Sequence, residues 1–339
     1  MGSTGRPPSP VHLFETINSF QKTEALKAAV ELEFFTAIAE GHATAADLAQ
    51  RCGVASRGAR ILCDYLVIQG FLTKSGEKYA LTEESAQFLD QKSPTYLGGA
   101  MRFLLSPVLR KQFAALTDAV RYGGTAVDDH GTTAPGHPVW VDFARSMAPM
   151  MMMAADAVAK TVVLPNGRPS RVLDIAAGHG LFGVLVLKQN PQARMTAIDW
   201  PTVLEVAREN AAHWGVADRY ETIAGSAFEV ELGGGYDLAL VPNFLHHFNP
   251  GQCQQLLLKL HAALAPGGRI VILEFVPNED RVTPLPAAAF ALIMLASTPA
   301  GDAYTFSELD RMLRSAGFTG SELRPLPPSP HSVVTAHRA

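Results

Sequence analysis

Cysteine is scarce: the chain has three in 339 residues, Cys52, Cys63 and Cys253. An odd number at these spacings builds neither a disulfide framework nor a zinc-ligand set, so reduced thiols in a cytoplasmic protein are expected, with no metal. Excess charge is also lacking. Lysine and arginine total 28 against 32 aspartates and glutamates, a formal net charge of −4, and the isoelectric point is near 6.3. That balance argues against a surface built to track phosphates, so nucleic acid is not an expected partner. The opening "MGSTGRPPSP" has no basic-then-apolar leader, and Arg6 stands where a myristoylation signal needs Ser or Thr. The longest apolar run, "AAAFALIMLA" at 287–296, is about half of what a membrane span requires, so a buried helix is expected there and no membrane partner. Internal repeats and long low-complexity tracts are absent as well.

What is present is an ordinary globular composition, 47% hydrophobic and 18% charged, at a length that calls for two domains, each with its own core. From Val11 to about Phe88 the pattern is helical. Within it, "TAADLAQRCGVASRGARILCDYLVIQGFLTKSGEKYALTEES" reads as helix, turn, helix and a two-strand wing turning at Ser75-Gly76. Such a winged-helix outline raises a DNA-binding regulator. Yet the helix from Ser56 offers only Arg57 and Arg60 as basic residues, while Ile61, Leu62, Tyr65, Leu66 and Ile68 suit packing.

A second helical stretch covers 95–122, and "YGGTAVDDHGTTAPGHP" at 122–138 has the content of an exposed loop. The helix expected from Val139 to Val163 contains "SMAPMMMMAAD". Four consecutive methionines cannot share one helix face, but Met147 and Met151, one turn apart, can share a pocket wall. "PNGRP" at 165–169 marks a boundary.

Beyond it the rhythm changes. "RVLDIAA", "ARMTAID", "YETIAG", "YDLALVP" and "GRIVILEF" are short apolar runs, each followed by helical sequence. This predicts an α/β fold with a parallel sheet covered on both faces. "FSELDRMLRSAGF" is a helix, and "TGSELRPLPPSPHSVVTAHR" reads as an antiparallel pair closing the sheet edge.

The first of these strands runs into Gly178-His179-Gly180-Leu181-Phe182-Gly183, a literal G-x-G-x-x-G, and Asp199 ends the second strand. Both features suit a nicotinamide oxidoreductase, with the acid on a ribose diol. S-adenosylmethionine, which also presents ribose and adenine, fits the same geometry and is favoured by three features. Asp174 precedes the loop where a carboxylate can orient it near a cationic cofactor; "LAPGGRIVILE" at 264–274 is a helix exit, turn and buried strand; and the terminal hairpin is foreign to ordinary dinucleotide domains.

With "VLDIAAGHG", "AIDWP", "GSAFE", "NFLHHF" and "LAPGGRIVILE", the chain resembles the S-adenosylmethionine-dependent small-molecule O-methyltransferases over nearly its whole length. The resemblance implies a Rossmann-like, seven-stranded class I methyltransferase domain at 165–339, a mainly α winged-helix dimerisation domain at 1–95, and a helical connector at 96–164 that contributes to the substrate pocket. A homodimer acting on a small molecule in secondary metabolism is implied too. In the cofactor site, Ala176, Gly178 and Gly180 would wrap the methionine part, Asp199 would take the ribose hydroxyls, and Trp200 and Phe228 would flank the adenine. Gly225, Ser226 and Ala227 would line the edge of the base, with Asn243 nearby. Ala176 and Ala177 stand where relatives often carry glycine, Ser226 where plant members carry an acid, and Pro242 where many carry lysine.

"PNFLHHF" closes the fourth strand of this run and Glu274 the fifth, so an imidazole and a carboxylate can meet at adjacent strand ends, where open α/β folds place ligands. By resemblance His246 is the base that accepts the proton of the attacking hydroxyl and Glu274 its partner acid. Histidine's ordinary pKa suits that task at neutral pH. His247 falls where an Asp is common and is expected to support the site from behind. Phe290 and Met294 on the 285–297 helix are candidate pocket walls beside Met147 and Met151. Plant relatives have a second glutamate in Gly-x-Glu-Arg-Thr; this chain has Gly301-Asp302-Ala303-Tyr304-Thr305, leaving Asp302 as the nearest substitute. That departure keeps N- and C-methylation open beside O-methylation.

Overall fold

The computed structural model describes residues 8–162, 164 and 168–339. The chain divides into two compact units, the first ending at Met101 and the second starting at Arg102. The expected boundary segment 165–169 lies mostly outside the described residues. From Arg102 onward, the helices expected as a connector belong to the second unit.

In the first unit the helix Ala45–Cys52 starts at a capping box, in which Thr44 and Asp47 satisfy each other's backbone amides, and stops at left-handed Gly53. The helix Ser56–Ile68 buries Ala59, Cys63 and Leu66, a stripe at helical spacing. Strands β1 (Leu72–Ser75) and β2 (Lys78–Leu81) form the antiparallel wing. Leu62 and Leu66 pack in this core. Ile61 and Ile68 do not: they fall off the buried stripe, and Ile68 is 76% exposed.

The second unit is built on seven strands: β3 (Arg171–Ile175), β4 (Arg194–Asp199), β5 (Tyr220–Ala224), β6 (Tyr236–Pro242), β7 (Leu264–Glu274), β8 (Phe318–Pro325) and β9 (Ser332–Arg338). Their order is β5-β4-β3-β6-β7-β9-β8, parallel except for β9, which runs antiparallel to β7 and to β8. Every residue of β6 is buried, the mark of a central strand covered on both faces. The strand order reverses between β3 and β6, which opens a crevice above their carboxyl ends.

The helix Val139–Thr161 buries Met147 and Met151 and turns Met153 outward, 63% exposed. Two expectations change. The helix Leu285–Ser297 buries Ala287, Met294 and Ala296 but leaves Leu285 76% exposed, because only one of its faces meets the unit. The 122–138 loop is partly inside: Thr132 is buried with its hydroxyl donating to the Ser297 carbonyl at 3.1 Å, and the Thr125 amide reaches the Thr298 carbonyl at 2.8 Å. A side chain on Gly124 or Gly131 would overlap the carbonyls of Pro299 or Ser297, so those glycines permit close approach rather than marking solvent.

Candidate active site

Strain marks the crevice. Ala176, just past β3, and Asn243, just past β6, both hold left-handed backbone, φ 51° and 53°. Non-glycine residues adopt it at a cost of about 1–3 kcal/mol, and such residues cluster at ligand sites. Gly178 and Gly180 are left-handed as well, and a side chain on Gly180 would press on Tyr220 and Ala207. Asp199, at the end of β4, holds the loop from the neighbouring strand: its Oδ2 accepts from the Gly178 amide at 2.8 Å and its Oδ1 from the Trp200 amide at 2.7 Å.

Burial raises the Asp199 carboxyl to about 6, with the two amides offsetting part of the rise. Asp174 lies deeper. Burial first, and the Asp199 charge second, push it to about 8, with the nearby Gly183 amide pulling the other way; neither oxygen makes a hydrogen bond of normal geometry. The Tyr220 hydroxyl is equally buried and unpartnered, and its pKa is driven upward by burial and then by the two aspartates.

The other expected cofactor residues cluster along the same edge. The Gly225 amide donates to the Asp199 carbonyl at 2.9 Å, and Ser226 Oγ accepts from the Phe228 amide at 3.3 Å. Trp200 packs with Trp140 and Val203, while Phe228 joins an aromatic group with Phe248, ring centroids 4.8 Å apart, and Phe244. Lys259 was not foreseen. Its ammonium donates to the carbonyls of Ala227, Phe228 and Val230 at 3.1, 2.9 and 2.6 Å, fixing this loop. A lone lysine in the apolar helix Pro250–Ala263 was the available signal.

The two strand ends beside the crevice meet as expected. His246 Nδ1 lies 2.5 Å from Glu274 Oε2, and both residues are buried. Glu274 Oε1 accepts from the amides of Phe244 and His246 at 3.1 and 3.3 Å. A carboxylate has no proton to donate, so Nδ1–H is the donor and Nε2 keeps a free lone pair. His247 is buried against Trp140, 5.1 Å between centroids, with Nδ1 unpartnered. Burial, then the neighbouring His246, hold its pKa well below the ordinary value, so it stays neutral.

Phe290 lies edge-on to His246 at 4.8 Å and stacks on Phe275 at 3.9 Å. Met151 Sδ is 3.9 Å from Asn243 Nδ2; Met147 and Met294 are buried on their own helices. Asp302 does not take the missing glutamate's part: its carboxylate pairs with Arg281 at 3.2 Å, and only its backbone reaches the histidine. Trp140, Phe275 and His331, whose ring is 4.2 Å from Phe275, were also missed. Nothing in their sequence separation announces that they converge.

Comparison with known proteins agrees with this geometry. A model of the O-methyltransferase domain matches residues 113–319, and one of the O-methyltransferase dimerisation domain matches 14–91. The 3-hydroxy-5-methyl-1-naphthoate 3-O-methyltransferase of Streptomyces sahachiroi is 30% identical, across 99% of this chain and 98% of that one. The tetracenomycin polyketide synthesis 8-O-methyl transferase of Streptomyces glaucescens is 29% identical over 91% of each chain. The crystal structure of a candidate O-methyltransferase from Nostoc punctiforme superposes with a TM-score of 0.94 at 53% identity, covering 97% of this chain and 99% of that one. The nicotinamide reading of the glycine loop and the DNA-binding reading of the wing therefore give way, and the chain belongs to the S-adenosylmethionine-dependent O-methyltransferases.

Proposed function

We propose that this enzyme methylates a hydroxyl of a small, rather apolar molecule, with His246 as general base. The observation that carries the reading is the 2.5 Å approach of His246 Nδ1 to the buried Glu274 carboxylate, which leaves Nε2 as the free acceptor. The crevice residues suit the cofactor. Asp199 keeps lone pairs for hydroxyl donors beyond its two amide bonds, and Asn243 Oδ1 is buried without a partner. Asp174, one residue before β3 ends, holds a carboxyl raised to about 8 by burial, which a nearby sulfonium would draw back toward its ionised form. Ala176, Gly178 and Gly180 would hold the methionine part, Asp199 the ribose, and Trp200, Gly225, Ser226, Ala227 and Phe228 the base.

When bound, S-adenosylmethionine supplies an electrophilic methyl group on a sulfonium. The chain then has two tasks. It must hold the acceptor hydroxyl in line with that methyl, a proximity effect worth up to about 7–11 kcal/mol, and it must receive the proton as oxygen charge develops. His246 Nε2 receives it, and the Glu274 carboxylate stabilises the resulting imidazolium, for about 10²- to 10⁴-fold in rate. Phe290, Met294, Met147 and Met151 supply apolar walls, and neutral His247 supports the base without competing for its proton. The S. sahachiroi relative methylates a hydroxyl of a naphthoate, an acceptor of this kind.

The 14–91 match to a dimerisation domain and the exposed Val11, Leu13, Phe14, Ile17 and Phe20 support a homodimer. No helix among the described residues is long and apolar enough to cross a membrane. His246→Ala should lose about 10²- to 10⁴-fold in kcat while binding S-adenosylhomocysteine as before by calorimetry; unchanged methyl transfer would remove His246 as base.

A further inference from the structure

The turn Leu245–His247 that carries the base, and Phe248 after it, are braced by groups other than Glu274. Tyr304, 5% exposed, donates its hydroxyl to the Phe248 carbonyl at 2.5 Å. The Asp302 amide donates to the His246 carbonyl at 2.9 Å. Cys253 Sγ lies 3.2 Å from the Leu245 carbonyl. Three backbone oxygens, those of Leu245, His246 and Phe248, are thus tied down.

The segment that does this is itself fixed. A side chain on Gly301 would overlap the His246 carbonyl oxygen, so glycine is what lets the two backbones touch. The Gly301 amide donates to Thr298 Oγ1 at 2.8 Å. On the other side, Thr305 and Glu308 form the capping box that starts the helix Phe306–Ser315. Arg281 binds Asp302 at 3.2 Å and Glu308 at 2.6 Å. Position 303, between these anchors, holds a buried alanine with no polar group to offer the imidazole.

We propose that Gly301–Tyr304 positions the catalytic turn by gripping its backbone carbonyls, with Tyr304 as the principal positioning residue. The inference rests on His246 being the base. Tyr304 acts at a distance, since its hydroxyl touches the Phe248 carbonyl and not the imidazole. Removing its hydroxyl leaves the Phe248 carbonyl with only the weak Cys253 thiol at 3.6 Å, and the loosened imidazole loses register with both Glu274 and the acceptor oxygen, an error to which aligned proton transfer is sensitive.

The test is Tyr304→Phe, which keeps the ring and removes the hydroxyl, measured alone and combined with Glu274→Gln. The expected result is a kcat lower by roughly 10- to 100-fold, with acceptor KM and S-adenosylhomocysteine affinity within about twofold. In the Glu274→Gln background the same change should add little, because two residues acting through one imidazole are not additive. Parent-like kcat in Tyr304→Phe, or a loss that multiplies in full with Glu274→Gln, would overturn the proposal. If His246→Ala retains turnover, the base assignment fails first, and that outcome is distinct from a silent Tyr304→Phe beside a dead His246→Ala. Should Tyr304→Phe not fold, Cys253→Ala, which withdraws the thiol from the Leu245 carbonyl, is judged by the same criteria.

Discussion

Glu274→Gln exchanges one carboxylate oxygen for an NH2 group, with little change in shape and almost every change in hydrogen bonding. The native carboxylate accepts three bonds, from the amides of Phe244 and His246 on one oxygen and from His246 Nδ1 on the other. A glutamine has one acceptor oxygen and an NH2 that only donates. If the oxygen stays with the two amides, the NH2 faces Nδ1, which must give up its proton and become the acceptor. The imidazole then carries its proton on Nε2, and the lone pair needed for catalysis is gone. The opposite orientation sets the NH2 against two buried amides, at about 1–3 kcal/mol for each unsatisfied group, so the tautomer flip is the cheaper outcome.

The expected loss is the full general-base contribution, about 10²- to 10⁴-fold in kcat, equivalent to about 3–5 kcal/mol of transition-state stabilisation. Cofactor affinity should hold, since Glu274 makes no bond to Asp199 or to the glycine loop. Single-turnover release of S-adenosylhomocysteine measures the first quantity, and titration calorimetry the second. A Glu274→Gln enzyme that folds, binds and turns over within about threefold of the parent would refute the tautomer argument.

Two further outcomes follow from the crevice. Asp199 and Asp174 sit near 6 and 8, and a sulfonium favours their ionised forms. S-adenosylmethionine should therefore bind more tightly, with proton release, as pH rises from about 5.5 to about 8.5, and more steeply than the uncharged thioether product; equal slopes in calorimetry would exclude the carboxylates. The same shifts set a stability trend of known sign. Both carboxyls titrate above their unfolded values, so the folded chain holds protons that the unfolded chain releases. The unliganded fold should accordingly lose thermal stability as pH climbs toward 8, with the opposite trend counting against two carboxyls raised by burial. Replacing Phe290 and Met294 with alanine should change acceptor preference and KM more than cofactor affinity, and an unaltered substrate profile would take both out of the pocket.

The sequence alone determined what depends on local periodicity and on neighbours along the chain. The alternation of apolar runs with helices set the parallel sheet, and G-x-G-x-x-G followed by Asp199 marked the crevice edge while leaving two cofactor classes open. Histidine and glutamate end consecutive strands, but that those strands are sheet neighbours came from the family resemblance, since consecutive strands such as β5 and β6 can lie apart in the sheet. Burial and long-range convergence were decided only by tertiary structure. Ile68 read as packing and the 287–296 run as a buried helix, yet Ile68 and Leu292 lie outward, because a helix face is buried only if something packs on it. Asp302 read as a replacement acid but turns to Arg281, because a one-residue offset aims the side chain elsewhere. The floor beneath His246 was invisible for the same reason. Its bonds run through carbonyl oxygens, which every residue carries, and only the fold decides which tyrosine or amide reaches them.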